Sequence, residues 1–107
     1  MNWYKFSIVD YQKQTAETPD AEDLAYRRLM DLYFLTERPI TADIDTLVEV
    51  IRLDADVIEP VLEAFFELTE DGYRHEEWQH QLDTLVRKRK LNQASGRLGG
   101  RRKKMVV

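Results

Sequence analysis

The chain has 107 residues, no cysteine and a formal net charge of −4. That length supports one small domain and excludes an extensive buried catalytic cavity, while the missing cysteines exclude disulfides and Cys-based zinc sites. No apolar run approaches the roughly 18 residues that a membrane helix needs, and MNWYKFSIVDYQ has neither a basic n-region nor an apolar h-region. The expectation is a soluble, cytoplasmic protein.

The first eleven residues carry Trp3, Tyr4, Phe6 and Tyr11. Exposing so many rings is costly, so the segment is expected to pack across the domain as a short strand or irregular arm. A base-stacking platform is the sharper reading, but such platforms interleave with cations and only Lys5 is present. Thr18-Pro19 then offers a capping hydroxyl and a first-turn proline, and Asp20, Glu22 and Asp23 sit where a helix dipole favours negative charge. A helix is predicted over about 19–36. Ala21, Leu24, Ala25, Leu29, Leu32 and Leu35 form its stripe, widened by Tyr26, Met30, Tyr33 and Phe34. Arg38-Pro39 ends it, because the residue before proline avoids helical angles.

Thr41 is a candidate cap for a second helix, about 42–52, with Ile44, Leu47, Val48 and Ile51 on one face. After a break at Leu53-Asp54, a third helix runs over about 56–66 on Ile58, Val61, Leu62 and Phe65. Pro60 leaves its start open: either proline takes the first helical position after Glu59, or it kinks a helix that begins near Ala55. In FELTEDGYRHEEW, Asp71-Gly72 signals a hairpin, since glycine accepts a positive φ. Trp78, Leu82, Leu85 and Val86 return to helical spacing, which predicts a last helix over about 77–91.

Residues 87–104, RKRKLNQASGRLGGRRKK, hold nine lysines and arginines and no carboxylate. Residues 1–86 therefore carry a net −13 and residues 87–107 a net +9. This asymmetry is that of a domain, residues 1–91, followed by a basic, flexible interaction tail, residues 92–107. Helices, a short break, a helix and a hairpin follow the element order of a winged helix; a plain helical bundle with a loop at 69–73 is the alternative. The predicted class is mainly α with a small β-hairpin, a winged-helix-like domain followed by a C-terminal helix and the tail.

Several stretches together resemble a known family: WYKF, then DYQKQTA, AYRRLMDLYFLTERPI at 25–40, AFFELTEDGYRH at 64–75, and the basic ASGRLGG. They are similar to the YdaU-like domain of phage and prophage proteins, and they cover most of the chain. The resemblance implies a winged-helix-like fold and a role near phage DNA replication, such as initiation or helicase recruitment. It supplies no catalytic residues.

The residues themselves offer little catalytic chemistry. His75 and His80 are five apart, about 140° round a helix, whereas a zinc-binding helix needs histidines four apart; two surface histidines are expected, and no metal or cofactor. Asp54 and Asp56 read as caps, and Asp43, Asp45 and Glu49 as a solvated face. The four glycines form no phosphate loop or dinucleotide fingerprint, so an enzyme is not expected. Arg27 and Arg28 are read either as surface partners of Asp31 or as a structural ion pair under the N-terminal arm.

From Asp54 to Glu67 the chain holds five carboxylates and no cation. A polyanion repels such a helix, so the third helix is not expected to read a DNA groove. Nucleic-acid binding is assigned instead to Arg87, Lys88, Arg89, Lys90, Arg97, Arg101, Arg102, Lys103 and Lys104, with low sequence specificity. The leading expectation is a phage-type DNA-replication accessory protein whose acidic body binds a protein partner or itself. A protein-interaction module, such as a small inhibitor or adaptor, is the first rival. A sequence-specific transcriptional regulator ranks third.

Overall fold

The computed structural model describes the backbone of residues 3–106 and the side chains of residues 3–93. Five helices and one hairpin follow in the order α1 (Ile8–Thr15), α2 (Asp20–Thr36), α3 (Ile44–Ile51), α4 (Ala55–Phe65), β1 (Glu67–Thr69), β2 (Gly72–Arg74) and α5 (Glu76–Val106). No helix among the described residues is long and apolar enough to cross a membrane.

The N-terminal segment is an irregular arm only as far as Ser7. There the Ser7 hydroxyl accepts a hydrogen bond from the Asp10 amide at 3.3 Å and caps α1, a helix the aromatic pattern did not foresee. The Ser-x-x-Asp spacing of residues 7–10 was its sequence signal. Helix α2 starts one residue later than expected. Pro19 takes the N-cap position without any side-chain cap, so the Thr18 hydroxyl does not serve there. At the far end Glu37 adopts φ 56° and its amide closes onto the Tyr33 carbonyl at 2.9 Å.

The buried face of α2 is the aromatic one. Ala25, Tyr26, Leu29, Met30, Tyr33 and Phe34 are buried, whereas Leu24 and Leu35, read as part of the core stripe, are 43% and 59% exposed. The expected stripe was displaced round the helix because α4 and α5 both pack on α2 and select the faces with the larger rings.

Asp43, not Thr41, caps α3: its carboxylate accepts from the Asp45 amide at 3.2 Å and from the Thr46 hydroxyl at 2.8 Å. The C-terminal carbonyl of Ile51 receives a guanidinium N–H of Arg28 at 2.8 Å, which ties α3 to α2. Helix α4 begins at Ala55 and keeps Pro60 inside it, on the exposed side. Ile58, Val61 and Leu62 face inward.

The hairpin pairs Glu67 with Arg74, Leu68 with Tyr73 and Thr69 with Gly72, leaving Glu70 and Asp71 as its two-residue loop. The turn thus sits one residue earlier than expected. Gly72 has a separate duty: its φ is +122°, and a Cβ there would lie 2.2 Å from the Ile40 carbonyl oxygen. Ile40 explains that closeness. It exchanges two backbone hydrogen bonds with Tyr73, at 2.8 and 2.7 Å, and adds a third strand position beside β2. A strand contributed from between the first two helices of the motif, completing a hairpin that follows its third, is the winged-helix arrangement. Here α2, α3 and α4 are the three helices, and α1 and α5 are added at either end.

Helix α5 is longer than the predicted 77–91, beginning at Glu76 and continuing to Val106. Arginine, lysine, leucine, glutamine and alanine, the main residues of 87–94, are all good helix formers.

Candidate nucleic-acid interface

The root of α5 lies in the core, and it is built on a residue expected at the surface. His75 is buried, stacked flat on Trp78 with ring centres 3.7 Å apart, and its Nδ1 accepts the Trp78 amide at 3.3 Å. It is therefore the N-cap of α5, and burial pulls its pKa down to about 4. The neutral imidazole is the form the site requires, because a protonated Nδ1 cannot accept. His80, by contrast, is exposed as expected. Trp78 completes the root, meeting Tyr26, Tyr33, Phe34 and Phe66 edge-on or tilted at 5.2–6.3 Å. Tyr33 donates from its hydroxyl to Gln79 Oε1 at 2.6 Å, and burial raises its pKa.

From Val86 onward every described residue of α5 is exposed, so the helix becomes basic where it turns its side chains to solvent. Arg87, Lys88, Arg89 and Lys90 lie on this exposed stretch. Arg89 is engaged by the body itself, its guanidinium 2.6 Å from a Glu37 carboxylate oxygen at the end of α2; that hydrogen bond holds the Glu37 carboxyl below its ordinary range. The side chains of Arg97, Arg101, Arg102, Lys103 and Lys104 lie outside the described residues, as do those of the expected flexible tail from residue 94 on.

Helix α4 presents Asp56, Glu59 and Glu63 to solvent, and Glu67, Glu70 and Asp71 on the hairpin are exposed as well. The helix at the groove-reading position of the fold therefore shows carboxylates to anything that approaches it. The structure keeps this acidic surface and the basic stretch on different elements.

The N-terminal arm holds what the sequence reading missed. Tyr4 stacks on Phe34 with centres 4.4 Å apart, and its hydroxyl donates to Asp31. Arg27 lies 4.2 Å from the Phe6 ring centre and 5.1 Å from that of Tyr11, while the Tyr11 hydroxyl donates to Asp23. Burial first, then these carboxylates, push both tyrosine pKa values up. Arg27 thus sits under the arm as one reading held, but against aromatic faces, and Arg28 caps α3. The Gln81 amide donates to the Lys5 carbonyl at 2.8 Å and fastens the arm to α5. Between arm and α5 runs a groove of about 450 Å³, floored by Tyr26, Phe34 and Trp78 and flanked by Lys5 and Lys88.

No curated protein and no solved structure matches the chain. A family model does, over residues 2–83, which takes in the arm, the winged-helix elements and the root of α5 but stops short of Arg87. On that match the chain belongs to the family described as protein of unknown function (DUF1376).

Proposed function

We propose that the protein is a nucleic-acid-binding accessory factor of the phage DNA-replication type, as the YdaU-like resemblance implies. Its acidic body engages a protein partner or a second copy, and its basic C-terminal stretch holds nucleic acid through phosphate contacts. The observation that carries this reading is the division of charge: −13 over residues 1–86 and +9 over residues 87–107, with exposed carboxylates on α4 and exposed cations on α5. Opposite charges kept apart on one small molecule allow one end to grip a polyanion while the other is turned away. Contacts to phosphate carry no sequence information, so the binding is of low specificity.

The test is a truncation after Asn92, which removes five of the nine cations and leaves Trp78, Leu82, Leu85 and Val86 in place. If about five cations neutralise phosphates, the full chain's affinity falls with salt at a log–log slope of roughly −3.5 to −4.5. The truncated chain melts close to the full one, binds DNA at least about tenfold more weakly and shows a flatter slope. Equal affinity of the two chains would give first place to the protein-interaction module. One observation favours that second reading, since Arg89 is already held by Glu37.

A further inference from the structure

We infer that Trp3 is a base-stacking platform at the foot of the basic stretch, which makes single-stranded nucleic acid the ligand of this end of the molecule. The inference rests on the reading above and narrows it.

Three of the four aromatic rings near the N-terminus are used up in packing, as Tyr4, Phe6 and Tyr11 all join the core. Trp3 does not, and it stands 80% exposed. An indole left in water on an otherwise packed arm loses its apolar burial, and among the described residues it stands apart from the packed rings. The arm nevertheless holds it in place, because the next two residues are fixed: Tyr4 by Phe34 and Asp31, Lys5 by Gln81.

The position of Trp3 follows from the order of these anchors. Phe6 rests on Arg27, and Tyr4 on Asp31 and Phe34, so toward its N-terminus the arm climbs α2 in the direction of Glu37. Glu37 is where Arg89 is bound. Two residues of extended chain beyond Lys5 cover about 6.6 Å, which is about four residues of helix rise past Gln81. Trp3 therefore comes level with about residue 85 or 86 of α5, within about one helical turn of Arg87 and Lys88 along the axis.

Sequence alone offers the aromatic arm only Lys5 as a cation; the fold brings Lys88 to the same groove. Of the carboxylates of that groove, Asp10 lies in α1 and Glu77 lies about 6 Å of helix rise before Gln81, on the far side of the Lys5 anchor from residues 85–88. A paired base has both faces covered by its neighbours in the stack, whereas an unpaired one offers a free face to the indole. Hence single strands are preferred to duplex.

The experiment uses the full chain with fluorescein-labelled oligo(dT) and a hairpin duplex of equal length. Trp3→Ala is expected to weaken oligo(dT) binding by about fivefold or more while duplex affinity and melting temperature hold, and Trp3→Phe to restore most of the loss. Oligo(dT) is also expected to quench the wild-type tryptophan emission, a change absent in Trp3→Phe, where only the buried Trp78 remains. Equal oligo(dT) affinity of Trp3→Ala and wild type, with salt-dependent binding retained, would overturn the stacking role and leave the basic stretch standing. Equal losses on single strand and duplex would also overturn it. Binding of neither probe by the wild type would remove the nucleic-acid reading and this inference together.

Discussion

Helices α4 and α5 both pack against α2, and they do so by different means. Branched and aliphatic side chains, Ile58, Val61 and Leu62, seat α4, while α5 is seated by Trp78 inside a ring of Tyr26, Tyr33, Phe34, Phe66 and His75. Their outer faces differ more. The one on α4 shows Asp56, Glu59 and Glu63, and the exposed run of α5 shows Arg87, Lys88, Arg89 and Lys90. The inner face decides where a helix sits, and the outer face decides what can come near it. Occupying the groove-reading position of a winged helix does not make α4 a reader of DNA, because electrostatics acts on the face that is left exposed.

The largest effect is expected from removing the seat of α5. Trp78→Ala leaves a large hole among five aromatic neighbours, and the expected loss is about 3–5 kcal/mol of unfolding free energy by denaturant titration. A loss of the size of a surface substitution would mean that α5 is not rooted in the core. Because one seat holds the whole helix, DNA binding is expected to fall with it only where the protein has unfolded.

A smaller effect sharpens the same seat through pH. The His75 pKa is lowered from 6.5 to about 4 in the folded state, so the unfolded chain takes up a proton first as pH falls. Stability from the neutral cap is fully present above about pH 6.5, is lost progressively as pH falls toward 4, and reaches a constant deficit below it. The shift corresponds to roughly 3 kcal/mol. Melting temperatures across this window check it, with His75→Asn as control: asparagine can still cap and does not titrate. An unchanged pH slope in that variant would place the dependence on other groups.

The smallest effect on stability falls on the outer face of α4. Exchanging Asp56 and Glu63 for lysine alters two exposed side chains, so the expected change is within about 0.5 kcal/mol. Non-specific DNA affinity is expected to rise, because two repulsive charges become attractive. A drop in affinity, read by fluorescence anisotropy, would show that the acidic face touches DNA.

Much of the fold was legible because its signals are local. The first-turn carboxylates and Arg38-Pro39 bounded α2, the Ile44–Ile51 spacing marked α3, and glycine after aspartate marked the hairpin. The errors share one cause as well. Periodicity placed Leu24 and Leu35 in the core stripe, yet α4 and α5 choose which side of α2 is covered. His75 read as surface because a histidine beside two glutamates looks solvated until Phe66, Tyr26 and Trp78 close around it. Of the candidate interface, the cations were plain in the sequence, while the exposure of Trp3 beside three packed rings was not.

What the amino-acid order determined alone was the number and kind of α2, α3, α4 and the hairpin, and the separation of −13 from +9, since propensity, capping and charge act between near neighbours. Only the tertiary structure decided that Ile40 completes the sheet with Tyr73, that Gly72 must leave room for its carbonyl, and that an arm at residue 5 is bonded to a helix at residue 81. These contacts join segments 32 to 76 positions apart. No local preference encodes them; they form because burying the aromatic faces of α2 requires the arm, α4 and α5 to close on it at once.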